Sequence, residues 1–155
     1  MEDPAYRKLM DYAMRALSRR AHTTFELGEK LKKRATYSPQ LGALVLARLT
    51  ELKLLDDEAY VRRTIDQATR MKPQGRIKLA SRLHQKGIDV KNTTAIWNTM
   101  DVPERDMALA ALKSAEKRFA RVPPEKLYQR RAQFLASRGF SPEIVFELAK
   151  SGPNS

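Results

Sequence analysis

A period of 52 residues constrains this chain more than any other feature. Leu31, Leu83 and Leu135 each close an apolar-periodic segment in comparable phrases, KLKKRATYSP, RLHQKGIDVK and FLASRGFSPE, and the three leucines are evenly spaced by 52 positions. Self-similarity at this distance marks a tandem architecture in which each copy is one supersecondary unit and neighbouring copies share their apolar faces. In the second and third copies Gly87 and Gly139 stand where a helix C-terminus needs a left-handed residue. An apolar residue and then a capping residue, Asp89 or Ser141, follow each glycine. The first copy has Ala35 in place of the glycine and one extra residue before Ser38.

Within each period the apolar residues recur at helical spacing. Tyr6, Leu9, Met10, Ala13 and Leu17 mark a first helix, Leu27 and Leu31 a second, and Leu41, Leu44, Val45, Leu49 and Leu52 a third. Thr23 with Glu26 forms a capping-box pattern, and Ser38-Pro39 places a cap before a first-turn proline. Asp56 caps a fourth helix carrying Tyr60, Val61, Ile65 and Ala68, and a fifth with Leu79 and Leu83 follows the break at Pro73 and Gly75. A sixth starts near Asp89 with Ile96, Trp97 and Met100 on its inner side, which makes Trp97 a core residue. Pro103 opens a seventh helix running from Ala108 to Phe119, Pro123-Pro124 breaks it, Leu127, Phe134 and Leu135 mark an eighth, and Ser141-Pro142 begins a ninth. No window sustains the period-two alternation of a strand. The expected fold is therefore all-α, with three tandem three-helix, helix-turn-helix-like repeats spanning 1–55, 56–102 and 103–155 in an elongated, curved array.

Charge bears on partners. Thirty Lys and Arg face 18 acids, a formal net charge of +12, which singles out a polyanion, nucleic acid above all. With no cysteine, disulfides, thiolate catalysis and thiolate metal sites are excluded. The N-terminal stretch has no secretory apolar core, and no segment approaches the ~20 apolar residues of a membrane span. A cytoplasmic protein without membrane association is expected. The two histidines, His22 and His84, lack a surrounding constellation of nucleophile, base and orienting group, and the six glycines form no phosphate loop. The acidic run Asp56-Asp57-Glu58 suits a helix N-terminus with no metal. Binding without catalysis, cofactor or metal is the expectation.

The cations are unevenly distributed. Between 62 and 86 the basic residues are Arg62, Arg63, Arg70, Lys72, Arg76, Lys78, Arg82 and Lys86, opposed only by Asp66. Lys78, Arg82 and Lys86 recur every four residues and form one ridge beside the buried Leu79 and Leu83. The equivalent positions are Glu26, Lys30 and Arg34 in the first copy and Arg130, Phe134 and Arg138 in the third, so the ridge is complete only in the middle repeat. A surface tuned for folding would pair these cations with acids four residues away; this one accepts repulsion that a polyanion relieves. The middle repeat, with Arg130 and Arg131 as a secondary locus, is the expected binding surface. Few aromatics interleave the charges, which favours backbone phosphates or acidic protein over base readout.

Three blocks carry a family resemblance. AMRALSRRAHTTFELGEKL at 13–31 resembles the opening signature of the RecX family of bacterial recombination regulators. LDDEAY at 55–60 and LHQKGI at 83–88 resemble two later phrases of the same family, in the same order. The similarity extends from Tyr6 to about Lys150, including Arg138-Gly139-Phe140. Two departures make the middle repeat more basic: Lys78 stands where the family usually has Arg, and Arg82 where it has Glu. The resemblance implies a non-enzymatic, monomeric modulator that binds the RecA filament on single-stranded or double-stranded DNA. It also implies inhibition of ATP hydrolysis, strand exchange and coprotease activity. The alternative from the residues alone is an autonomous DNA-binding protein of helix-turn-helix type, a chromatin or transcription factor.

Overall fold

The computed structural model describes residues 3–153, which form ten α-helices and no strand. They are α1 (Pro4–Arg19), α2 (Thr24–Lys32), α3 (Pro39–Glu51), α4 (Asp57–Arg70), α5 (Arg76–Gln85), α6 (Val90–Thr99), α7 (Glu104–Ser114), α8 (Glu116–Phe119), α9 (Pro124–Ser137) and α10 (Pro142–Ser151). Contacts gather the chain into two compact units, residues 1–61 with 84–88, and residues 62–83 with 89–155. The polypeptide of the middle repeat contributes to both.

In the first unit the helices start where their side chains can satisfy orphan N–H groups. Asp3 accepts from the Ala5 N–H at 2.9 Å ahead of the first-turn Pro4. Thr23 Oγ1 accepts from the Glu26 N–H while Glu26 Oε1 accepts from the Thr23 N–H, both at 3.1 Å, completing the expected capping box. Ser38 caps α3 and Asp56 caps α4. Asp57, one residue on, accepts from the Thr24 N–H at 2.9 Å and so ties α2 to the start of α4. Helices α1, α2 and α3 pack around Leu9, Ala13, Leu27, Leu31, Val45, Leu49 and Leu55, all buried. Leu44 and Leu52, expected on the inner side of α3, are exposed. The buried row on α3 runs through Gly42, Val45 and Leu49, and Leu44 falls about 100° away from Val45.

The second unit buries Met107, Ala108, Ala111, Leu112, Leu135, Phe140 and Leu148 between α7, α9 and α10. The expected seventh helix is two. At Ala115 (φ −101°, ψ 9°) the chain leaves α-helical geometry, its N–H shared among the carbonyls of Ala111, Leu112 and Lys113, and the short α8 sets off afresh. The break lets Phe119 meet Phe134 of α9 edge-on, ring centroids 5.8 Å apart. Trp97 is buried, as its spacing required.

Gly87 (φ +84°) and Gly139 (φ +79°) are left-handed, as the repeat predicted. Ala35 is not: the extra residue of the first copy closes α2 through right-handed turns, with Arg34 N–H donating to the Leu31 carbonyl and Tyr37 N–H to that of Arg34. A second left-handed series ends the third helix of each repeat, at Lys53, Asp101 and Gly152. Two of its members are not glycines, and this hides the series from sequence inspection.

Candidate functional site

The ten cations expected to bind fall into different surroundings. Arg63, Lys72, Arg82 and Arg130 are exposed, as are Arg62, which reaches Thr99 Oγ1, and Arg70, whose guanidinium pairs with Asp66 at 3.4 Å. Arg76 is half-buried, and its N–H donates to Glu104. Arg131 turns inward: its guanidinium lies against Gly152 at the end of α10, and its Nε is buried without a hydrogen-bond partner.

The ridge on α5 is three separate arrangements. Lys86 Nζ donates to the Tyr60 hydroxyl at 2.6 Å and stands 5.3 Å from that ring's centroid, within the first unit. Its carbonyl accepts from the Thr23 hydroxyl at 2.7 Å. Arg82 donates to Gln74 Oε1 at 2.6 Å. Lys78 is half-buried and turns toward α9.

Lys78 leads to an arrangement that the charge pattern alone did not single out. The segment entering α5 docks on the C-terminal turn of α9: Gly75 N–H donates to the Arg138 carbonyl at 2.8 Å and Ile77 N–H to the Gly139 carbonyl at 2.9 Å. The approach is so close that a Cβ on Gly75 would overlap the Gly139–Phe140 backbone, and one on Gly139 would overlap Lys78. The docking opens a cleft of about 280 Å³ lined by Lys72, Pro73, Gln74, Lys78, Arg118, Phe134, Ser137 and Arg138. Four of its eight lining residues are cations and none is an acid. The Arg138 guanidinium lies 4.8 Å from the Phe134 ring centroid and that of Arg118 5.8 Å from it, geometry in which the ring quadrupole attracts and orients both. None of the four cations has a carboxylate partner among the described residues. The signal lay in the repeat alignment, where Phe134 and Arg138 match Arg82 and Lys86. Phe134 looks like a gap in the charge ridge, yet it is the ring that holds two guanidinium groups.

The same unit is anchored by Glu104, which is buried at the start of α7. Its carboxylate accepts from the Ser141 N–H at 2.8 Å, from the Ser141 hydroxyl at 3.0 Å to each oxygen, and from the Arg76 N–H at 3.4 Å. Ser141, expected to cap α10 with its side chain, spends its hydroxyl on this carboxylate instead.

His22 belongs to the first unit and is buried. Its Nδ1 is 3.0 Å from the Arg20 carbonyl and its Nε2 2.7 Å from Lys30 Nζ, which fixes a neutral ring with the proton on Nδ1. Burial, and after it the charges of Arg20 and Lys30, hold its pKa below the ordinary value despite the opposing backbone bond. Burial alone would raise the Glu26 pKa, but hydrogen bonds from Arg20 and the Thr23 N–H lower it. Among the described residues no group of three or more His, Asp and Glu could hold a metal ion, and no helix is long and apolar enough to cross a membrane.

The fold and sequence have close counterparts. A family model described as RecX, third three-helix domain, matches residues 107–148. The regulatory protein RecX of Chlorobaculum tepidum is 35% identical over 97% of this chain and 91% of its own length. That of Halorhodospira halophila is 35% identical over 87% and 82%. The crystal structure of RecX from Lactobacillus salivarius superposes with a TM-score of 0.86 at 18% identity, covering 97% of both chains. A second crystal structure, of a regulatory protein RecX, gives 0.82 at 22% identity over 96% of this chain and 74% of the other. Sequence similarity along nearly the whole length, in an all-helical fold built on the same repeat, establishes that the chain belongs to the RecX family.

Proposed function

We propose that this chain binds the RecA filament on DNA and restrains it, lowering ATP turnover, strand exchange and coprotease activity. The observation that carries the reading is similarity to regulatory RecX proteins over nearly the full length of both chains. The net charge of +12 supports it, since a cationic body gains affinity for a phosphate-rich filament by releasing condensed counterions. In this reading the three repeats, 1–55, 56–102 and 103–155, act together as a cytoplasmic monomer without a cofactor. The cations of the middle repeat, with Arg130 and Arg131, meet single-stranded or double-stranded DNA and the protein around it. Regulation follows from binding one filament state more tightly than another, because a ligand shifts an equilibrium only through differential affinity.

The test is ATP turnover by RecA on single-stranded DNA with substoichiometric amounts of this protein. Turnover should fall, and unchanged turnover at equimolar protein in low salt refutes the proposal. Tight, sequence-preferring duplex binding in the absence of RecA would instead identify an autonomous DNA-binding protein. Lys78→Glu combined with Arg82→Glu should weaken retention on RecA-coated single-stranded DNA while leaving helicity unchanged.

A further inference from the structure

We propose that the cleft between the start of α5 and the end of α9 is a cradle for one backbone phosphate of a single nucleic-acid strand. Lys78, Arg118 and Arg138 supply the contacts and Lys72 the rim charge. The proposal rests on the reading of the chain as a DNA-contacting regulator and assigns the contact to particular side chains.

Three observations converge on the cradle. The first is concentration of charge: four cations and no acid line a cleft of about 280 Å³. Elsewhere on the surface cations are matched, as Arg48 is to Glu51, Lys32 to Glu29 and Arg105 to Glu147. Four like charges around one concavity repel one another, and an anion placed among them relieves that repulsion. The second is preorganisation. Phe134 is held edge-on by Phe119 and attracts both guanidinium groups, which lowers the rotamer entropy they lose on binding. Lys78 is fixed by its close approach to Gly139, and the two backbone hydrogen bonds from Gly75 and Ile77 hold the cleft's two walls together. The third is size and chemistry. The volume lies at the lower end of ligand pockets, about 300–1,000 Å³, and suits a phosphodiester rather than a whole nucleotide. The ring that a base would stack on is already occupied by Arg118 and Arg138. Recognition is therefore of charge and backbone, with little dependence on sequence. Gln74, held by Arg82, brings a fifth cation to the edge of the same cleft.

The experiment is fluorescence anisotropy of the full chain with a labelled oligothymidylate across a salt series. Arg118→Gln with Arg138→Gln should weaken binding about tenfold, the loss of one charge-assisted contact. It should also reduce the slope of log K against log salt by about 0.7, the single-strand value for one phosphate. The charge-matched pair Arg15→Gln with Arg19→Gln, exposed on α1, should change both much less. An equal effect from the two pairs overturns the proposal. On a strand whose phosphates are replaced by neutral methylphosphonates, parent and cleft variant should bind alike; a persisting difference between them overturns it too. If the double variant fails to fold, Lys72→Gln on the exposed rim replaces it and should weaken binding about threefold; unaltered affinity there is equally fatal. Normal restraint of RecA turnover by a protein whose DNA affinity ignores the cleft would sink the cradle and spare the filament reading. Cleft-dependent DNA binding without any effect on RecA would do the reverse.

Discussion

Truncating Glu104 to alanine isolates the interaction on which the second unit most depends. The carboxylate has no cation beside it; its charge is balanced by the Ser141 N–H and hydroxyl, by the weaker 3.4 Å bond from the Arg76 N–H, and by the positive end of α7. Glu104→Ala leaves the Ser141 N–H and hydroxyl without a partner in a site too buried to hydrate freely. Each orphaned group costs about 1–3 kcal/mol, and with the lost charge assistance the total comes to about 3 kcal/mol. For a chain of this length that lowers Tm by about 6–12 °C if unfolding is a single transition. Glu104→Gln keeps an acceptor for the N–H and should lose about a third as much. Circular dichroism melts and urea titrations of parent, Glu104→Ala, Ser141→Ala and the double variant close a cycle, and its coupling term should exceed about 1 kcal/mol because the two side chains touch. A Glu104→Ala protein within about 0.5 kcal/mol of the parent, or strictly additive single effects, would show that the carboxylate does not join the two helices.

Stability should fall with pH in two steps. The unfolded chain takes up a proton at His22 near its ordinary value of 6.5 while the folded chain resists until its lowered pKa is reached, so stability declines as pH drops below 6.5. Glu26, whose folded pKa lies below 4.5, contributes stability above that value that is lost as pH falls through its folded pKa. Urea titrations of a His22→Gln protein should lose the first step and keep the second; an unchanged profile would place the proton elsewhere. Gly139→Ala combines a left-handed backbone penalty of about 1–2 kcal/mol with overlap on Lys78, and should lower urea stability by more than that penalty alone. Replacing Leu135, fully buried, by alanine should cost about 2–5 kcal/mol in the same titration, whereas Leu44→Ala on the exposed side of α3 should cost under 1.

The repeat was legible because its markers are local. A left-handed turn needs glycine wherever a Cβ would also meet a neighbour, as at Gly87 against Phe25 and Gly139 against Lys78, and that double constraint writes the 52-residue period into the sequence. Caps are legible for the same reason: Thr23, Ser38, Asp56 and Asp89 act on N–H groups two or three residues away. What escaped inspection depends on long-range partners. Ser141 has a capping residue's place and backbone, but Glu104, 37 positions earlier, competes for its hydroxyl and wins because a carboxylate is the stronger acceptor. The division of the seventh helix escaped likewise, since Ala115 is a good helix former and only the placement of Phe119 on Phe134 requires the break.

The same distinction separates the two ways of locating the charges. Spacing along α5 puts Lys78, Arg82 and Lys86 on one ridge, and the backbone does place them so. Yet each side chain then finds its own partner: Lys86 the Tyr60 hydroxyl, Arg82 the Gln74 amide, Lys78 the cleft beside α9. A periodic pattern specifies where side chains leave a helix, whereas the charge available to a ligand depends on what lies within hydrogen-bonding reach of their tips. Lys86, already donating to Tyr60 and resting near its ring, must give up that bond before it can serve a phosphate. Arg118 and Arg138, held by a ring rather than by an acceptor, keep their N–H groups free for an oxygen anion. Phe134 therefore strengthens the third repeat as an anion site at the very position where the charge pattern seems to lapse.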